Sequence, residues 1–108
     1  MELRRHERFA DRSLVAFTSE CYSGEGRLDN LSLGGAAIFS EAVVPRGEYL
    51  RLRLTFPGQA GMIDIELAPV RWVKDGSFGV EFIRIAPESQ ERLKHYLDNI
   101  EQTAADAA

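Results

Sequence analysis

Short segments in which apolar and polar residues alternate constrain the fold of this chain more than any other feature. Residues 49–56, "YLRLRLTF", place a leucine or phenylalanine at every second position, and residues 62–67, "MIDIEL", repeat the alternation. A period of two predicts strands with one buried face and one solvent face. Residues 57–61, "PGQAG", lie between these segments and contain the proline and glycine that are typical of a hairpin loop.

Further strand segments lie on both sides of this pair. The Asp75-Gly76 dipeptide is a strong signal for a tight hairpin turn between two of them. Six or seven short strands joined by tight turns, with no helical pattern between them, indicate an antiparallel sandwich or small barrel. The additional segments are 13–23 ("SLVAFTSECYS"), 25–30 ("EGRLDN"), 35–40 ("GAAIFS"), 69–73 ("PVRWV") and 77–85 ("SFGVEFIRI").

The end of the chain changes from a strand pattern to a helix pattern. Leu93, Tyr96, Leu97 and Ile100 follow the i, i+3, i+4, i+7 spacing of one helix face. Pro87 suits the first helical position. We therefore predict one amphipathic helix over about residues 87–101, packed on the strands, and a frayed tail over residues 102–108.

The composition limits the function classes. The 108 residues suit one domain. A net charge of −4, from 13 basic and 17 acidic residues, argues against broad adhesion to a nucleic acid polymer or an anionic membrane. No apolar run reaches the roughly 18 residues that would span a bilayer, and no signal segment is visible. We expect a cytoplasmic protein with no membrane insertion.

Residues for catalysis or metal binding are scarce. Cys21 is the single cysteine, which excludes an internal disulfide and a thiolate metal cage. The two histidines, His6 and His95, have no partners at the spacing of a metal site or of a nucleophile with its base. We therefore expect neither an enzyme nor a metal site, and no cofactor.

A cluster of arginines opens the chain in the segment "RRHERF". Arg4, Arg5 and Arg8 fall within five positions of an otherwise acidic sequence. One interpretation is a solvated arm whose charge is balanced by Glu2 and Glu7. The other is that guanidinium groups are carried to a small anion, because their planar fork matches phosphate oxygens two at a time.

A second polar motif lies in "DNLSLGGAAI". Asn30 and Ser32 are two positions apart, so a strand would present their amide and hydroxyl on one face. Gly34 and Gly35 follow, which permits unusual backbone angles or a close approach of a ligand to the main chain. The alternative is a turn in which the polar side chains satisfy their own backbone.

Together the two motifs resemble the PilZ domain, the bacterial receptor module for cyclic di-GMP. The arginines give R-x-x-x-R at Arg4 and Arg8, and Asn30, Ser32 and Gly35 give N-x-S-x-x-G 22 residues after Arg8. The segment "VRWVKDGSFGVEFIRI" is similar to the family's late hairpin. The resemblance implies a mainly all-β fold, a six-stranded antiparallel β-barrel with one C-terminal helix, in which residues 1–12 form a flexible ligand-gripping arm and residues 13–101 form the barrel with its helix.

The resemblance also implies a ligand site. Arg4 and Arg8 would grip cyclic di-GMP, and Arg5 would add a phosphate contact. The first position of the second motif is asparagine rather than the commoner aspartate, and an amide oxygen accepts a hydrogen bond from guanine more weakly than a carboxylate does. The full set of ligand-binding residues expected from the resemblance is Arg4, Arg5, Arg8, Asn30, Ser32, Gly34 and Gly35.

The expected function is that of a second-messenger receptor whose arm orders on binding and signals to an unknown protein effector. Leu3 precedes the arginine motif where a further arginine would favour two stacked ligands in this family, so one ligand per domain is expected. A monomer is expected rather than a dimer. Two alternatives stay open: a PilZ adaptor that acts only through protein contacts without ligand, and a small-barrel binder of RNA or single-stranded DNA.

Two expectations about surface and core bear on these alternatives. A single-strand binder needs exposed aromatic residues in a basic groove, whereas the strand aromatics of this chain are expected to pack in the core. Arg51 and Arg53 are expected to be the solvent face of a half-buried strand. The aromatic residues expected in the core are Phe56, Trp72, Phe78 and Phe82.

Overall fold

A computed structural model of the chain describes residues 13–56 and 62–107, with helix side chains described as far as residue 98. These residues form seven strands and one C-terminal helix. The elements are β1 (Leu14–Thr18), β2 (Ser23–Leu31), β3 (Gly35–Phe39), β4 (Tyr49–Thr55), β5 (Met62–Lys74), β6 (Ser77–Glu81), β7 (Arg84–Ile85) and α1 (Pro87–Ala107).

Six of the strands close into an antiparallel barrel. The ring runs β1-β2-β3-β6-β5-β4 and returns to β1 through the β1–β4 pairing. The short strand β7 pairs with β5 as an additional strand. The sequence prediction of a six-stranded antiparallel barrel with one helix is therefore confirmed, and β7 is added to it.

The long strand β5 differs from the sequence expectation of two separate strands. Its first half pairs with β4 and its second half pairs with β6. Pro69, which has no N–H to donate, lies where the strand passes from one neighbour to the other. The segment 77–85, expected as one strand, is divided into β6 and β7.

The interior of the barrel is filled by the alternating apolar residues. Leu50, Leu52 and Leu54 of β4 are each no more than 1% exposed, while Arg51 and Arg53 between them are exposed. This alternation is the one that the sequence predicts. Phe17 and Phe78 meet edge to face inside, with ring centroids 5.3 Å apart. The Asp75-Gly76 turn also forms as expected, with Gly76 at a φ of +76°.

Helix α1 covers one side of the barrel with three members of the predicted stripe, and the side chain of the fourth, Ile100, lies outside the described residues. Leu93 is fully buried, and Tyr96 and Leu97 pack against the core. The Tyr96 ring stacks on Phe56 at 3.8 Å between centroids. Partial burial raises the pKa of the Tyr96 hydroxyl, although its hydrogen bond with Ser13 acts in the opposite direction. The helix extends to Ala107, past the expected end near residue 101.

The placement of one aromatic residue corrects the sequence expectation. Phe56 and Phe78 are buried and Phe82 packs against the core, as expected, but Trp72 is 40% exposed. Val70, two positions before Trp72, is buried, and a register shift in the β5–β6 pairing between them turns Trp72 to the outer face. Its strand neighbour Gly79 has no side chain, which leaves room for the indole against the backbone.

Arg51 and Arg53 lie on the solvent face of β4, as expected. Arg53 donates two hydrogen bonds to Asp64, at 2.8 and 3.1 Å. These hydrogen bonds lower the pKa of the Asp64 carboxyl. Within the described residues, no helix combines the length and apolar character needed to span a bilayer.

The docking of the helix gives a stability prediction. Replacing Leu93 with alanine should lower the free energy of unfolding by about 2–5 kcal/mol, because it empties a fully buried site between helix and barrel. The exposed neighbour Lys94 gives the matched control, and Lys94→Ala should change stability by less than about 0.5 kcal/mol. Urea unfolding followed by circular dichroism measures both. Equal effects of the two substitutions would contradict the described packing of the helix.

Candidate functional site

The first motif cannot be placed in the fold. Arg4, Arg5 and Arg8 lie outside the described residues. The chain enters the described barrel at Ser13, which is buried and whose carbonyl accepts a hydrogen bond from the backbone N–H of Leu28. The geometry of the candidate site is therefore that of the second motif and its neighbours.

Asn30 and Ser32 both face outward at the end of β2. Each is exposed, and Leu31 between them is buried in the core. A register shift between Leu28 and Asn30 in the β2–β3 pairing precedes the motif. The amide and hydroxyl therefore lie on the outer surface of the barrel, where a ligand can reach them.

The polar side chains also bond the local backbone, as the turn interpretation expects. The Leu31 N–H donates to Asn30 Oδ1 at 2.9 Å, and the Gly34 N–H donates to Ser32 Oγ at 3.2 Å. The Ser32 hydroxyl donates to the Gly35 carbonyl at 3.3 Å. These bonds fix the side chains in place while leaving them exposed, so a local structural role and a binding role are compatible.

The two glycines of the motif, Gly34 and Gly35, lie in different surroundings. Among the described residues, positive φ occurs only at Gly47 and Gly76, so Gly34 and Gly35 do not use unusual backbone angles. A Cβ at Gly35 would overlap the backbone carbonyl of Val80, whereas Gly34 has open space around it. Gly35 therefore permits the close approach of β3 to β6.

A row of small residues forms the floor of the site. Across neighbouring strands Asn30 pairs with Ala37, Ala37 with Gly79, and Gly79 with Trp72. Strands lie about 4.8 Å apart, so the backbones of the four strands in this row span about 14 Å. The Trp72 indole covers Gly79, and Ala37 has only a methyl group, which leaves a shallow trough between the Asn30 amide and the indole.

Trp72 is the site residue that the sequence interpretation missed. A Cβ at Gly79 would overlap its indole, so the ring lies directly against the β6 backbone. The Lys74 ammonium lies 5.7 Å from the ring centroid. The hairpin register offered a signal, because a two-residue turn at Asp75-Gly76 pairs Trp72 with a glycine.

These residues enclose a depression of about 320 Å³. That volume lies at the lower end of the range usual for small-molecule sites. Glu81, which pairs with Gly35, also faces the depression and forms an ion pair with Arg71 at 2.7 Å. Four residues expected from the sequence, Asn30, Ser32, Gly34 and Gly35, thus line one depression. The other lining residues are Leu31, Ala36, Ala37, Trp72, Val80 and Glu81.

The chemistry of this depression suits a flat, polar ligand. The lining combines the Trp72 indole with the Asn30 amide and the Ser32 hydroxyl, and small residues lie between them. In the described part of the chain, no three histidine, cysteine or carboxylate side chains cluster as metal ligands. The arrangement can therefore stack a planar ring and hydrogen-bond its edge.

A larger depression of about 700 Å³ lies on the opposite strands of the barrel. It is lined by residues of β1, β4, β5 and β7, and it includes Arg51, Arg53 and Arg84. Arg53 is paired with Asp64, which also lines it. Of the expected ligand-binding residues that the structure describes, none lines it, whereas Asn30, Ser32, Gly34 and Gly35 line the smaller depression, which is therefore the candidate site.

The contrast between the two glycines gives the second prediction. Gly35→Ala should lower the free energy of unfolding by about 1–3 kcal/mol, because the new methyl group would overlap the Val80 carbonyl. Gly34→Ala is the matched control and should change stability by less than about 0.5 kcal/mol. Guanidinium unfolding of both variants is the measurement, and a Gly34→Ala variant as unstable as Gly35→Ala would refute this account.

Comparisons with known proteins were made for sequence and for fold. The family model described as "PilZ domain" matches residues 2–99. Comparison with curated proteins found no match. The inhibitor of motility MotI/DgrA of Bacillus subtilis has a similar solved structure, with a TM-score of 0.71 and 24% identity over 85% of this chain and 48% of that chain.

A second solved structure has the same fold. It is YcgR from Escherichia coli in complex with c-di-GMP, with a TM-score of 0.74 and 17% identity over 90% of this chain and 44% of that chain. The chain spans about half the length of each of these two proteins. At these identities the likeness concerns the fold of the barrel and helix.

Proposed function

This chain belongs to the PilZ domain family, and from that premise we propose that it is a receptor for the second messenger cyclic di-GMP. The observation that carries the proposal is the depression in which Asn30 and Ser32 face Trp72 across a floor of small residues. The same fold is found in YcgR, whose structure was solved with c-di-GMP. The depression suits one guanine base of such a ligand.

In the proposed complex, the N-terminal arm and the barrel surface make different contacts with the ligand. Arg4 and Arg8 clamp the phosphates through bidentate, charge-assisted hydrogen bonds, and Arg5 adds a further phosphate contact. Asn30 and Ser32 hydrogen-bond the ligand from the barrel surface, where both are exposed. Gly35 keeps β3 and β6 close beneath them, and Gly34 leaves open space above.

Trp72 is proposed to stack on a guanine base. Its indole is 40% exposed and lies against the Gly79 backbone, so the ring is held in place before the ligand arrives. A pre-positioned aromatic face binds a base with little further loss of side-chain freedom. This residue adds an aromatic wall to the set expected from the sequence.

The proposed signal is closure of residues 1–12 over the barrel. Fixing each backbone residue costs roughly 1–2 kcal/mol in conformational entropy, which the phosphate contacts offset only when ligand is present. The closed segment would then create or hide a surface that a protein effector recognises. We propose that the domain consists of this segment and of the barrel with its helix, residues 13–101, and that it is a monomer. It binds one ligand molecule and has no catalytic activity.

The alternative is a PilZ adaptor that acts through protein contacts without a nucleotide. The exposed side chains in the depression favour the receptor, because an adaptor has no need for an aromatic face opposite a polar motif. Isothermal titration of the folded domain with cyclic di-GMP separates the two functions. Selective binding at about micromolar dissociation constant or tighter supports the receptor, and no binding supports the adaptor.

Arginine substitutions test the arm. Arg8→Ala or Arg4→Ala should weaken cyclic di-GMP binding by about a hundredfold or more, because each removes a bidentate, charge-assisted contact. Arg46→Ala, at an exposed position outside the candidate site, is the matched control and should bind like the unmodified domain. Ser32→Ala should have a smaller effect than either arm variant.

Titrations with GTP and cyclic GMP give the ligand controls for this series. Both should bind much more weakly, since neither presents two guanines joined through two phosphodiesters. Normal cyclic di-GMP binding by Arg8→Ala would show that the arginine motif is not the phosphate clamp. Titration to two ligands per domain would overturn the stoichiometry inferred from Leu3.

The stacking role of Trp72 gives a separate prediction. Trp72→Ala should weaken cyclic di-GMP binding by about 5- to 150-fold, which corresponds to the loss of one base–aromatic stack. Trp72→Phe should retain part of the affinity, and Val73→Ala on the same strand is the matched control. Trp72 is the single tryptophan, so its fluorescence should change on binding. Unchanged fluorescence together with unchanged affinity of Trp72→Ala would exclude the stack.

A further inference from the structure

We propose that Glu81 is a specificity-determining residue that reads the Watson–Crick edge of a guanine in the candidate site. This inference rests on the proposed cyclic di-GMP function and assigns a recognition role to a residue outside both sequence motifs. It starts from the position of Glu81 at the end of β6, where it pairs with Gly35 and lines the depression with Asn30 and Ser32.

Glu81 is the only ionisable side chain that lines this depression in the described part of the chain. A carboxylate beside a ligand with two phosphates is unfavourable unless it is neutralised or faces another part of the ligand. Arg71 donates to Glu81 Oε1 at 2.7 Å, which neutralises the charge locally. The pair is about half exposed, so the ligand can reach the carboxylate.

The hydrogen-bonding capacity of Glu81 is only partly used. Arg71 engages Oε1 through a single nitrogen, and Oε2 has no hydrogen-bond partner among the described residues. Asn30, by contrast, already accepts the Leu31 N–H through Oδ1 and has no charge. The stronger acceptor available beside the floor of the site is therefore the free oxygen of Glu81.

Guanine is the base that fits such an acceptor. Its Watson–Crick edge presents two adjacent donors, N1–H and the 2-amino group, to which a carboxylate can accept charge-assisted hydrogen bonds. Adenine presents an unprotonated N1 in the same place, which repels a carboxylate oxygen. Glu81 thus supplies the charged acceptor that asparagine at position 30 does not provide.

The test compares ligands that differ only at this edge. Isothermal titration measures cyclic di-GMP, cyclic di-IMP, which lacks the 2-amino groups, and cyclic di-AMP against the unmodified domain and Glu81→Ala. The unmodified domain should prefer cyclic di-GMP to cyclic di-IMP by about tenfold or more, as expected for a charge-assisted hydrogen bond. Glu81→Ala should reduce that preference to about twofold or less.

Two further variants test whether Glu81 contacts the guanine directly or changes the ligand preference indirectly. Glu66→Ala removes a carboxylate from the larger depression on the opposite strands and should keep the tenfold preference. Arg71→Ala should weaken all three ligands while keeping the preference, because the carboxylate remains but its charge is no longer neutralised. Loss of the preference in Arg71→Ala with the Glu81 carboxylate intact would show that Arg71 is the specificity residue and overturn the proposal.

The remaining outcomes distinguish failure of the role proposed for Glu81 from failure of the proposed receptor function. If the unmodified domain binds cyclic di-GMP selectively and Glu81→Ala keeps the same preference, Glu81 does not read the base, and the receptor function stands. If the folded, unmodified domain binds none of the three dinucleotides, the receptor function fails and the role of Glu81 fails with it. Urea unfolding of each variant verifies that the exposed substitutions leave the fold intact.

Discussion

Closure of the barrel through β5 is the constraint on which the rest of the structure depends. This strand of 13 residues pairs with β4 along its first half and with β6 along its second, so a single segment joins the two sides of the ring. Once the ring is closed, the register of each strand determines which of its alternating side chains point into the core and which point to solvent. A slip of one residue would move Leu50 and its partners from the core to solvent.

The same closure builds the candidate site on the outer surface. Asn30, Ala37, Gly79 and Trp72 come from four different strands, and only their registers place them in one row. The site therefore needs no loop to fold over it before a flat ligand can lie on it. The strands hold the Asn30 amide and the Trp72 indole in a fixed arrangement, which the proposed recognition of a planar base requires.

The proposed separation of phosphate binding from base recognition explains how an acidic domain can recognise an anion. The arginines that would hold the phosphates are concentrated in the first residues of the chain, and the barrel contributes shape, stacking and edge recognition. A net charge of −4 argues against broad adhesion to polyanions. Its affinity would depend on a few directed contacts, and the neutralised Glu81–Arg71 pair allows a carboxylate to be one of them.

The sequence by itself determined the strand periodicity, the Asp75-Gly76 hairpin and the start of the helix at Pro87, because these follow from local side-chain patterns. The strand pattern left a sandwich or a small barrel open, and the resemblance to the PilZ family predicted the barrel with Asn30 on its surface. Only the tertiary structure decided that β5 is continuous and that Trp72 lies outside the core, beside Glu81. A period of two shows that a strand has two faces, but the partners on each face are set by pairings between residues far apart in the chain.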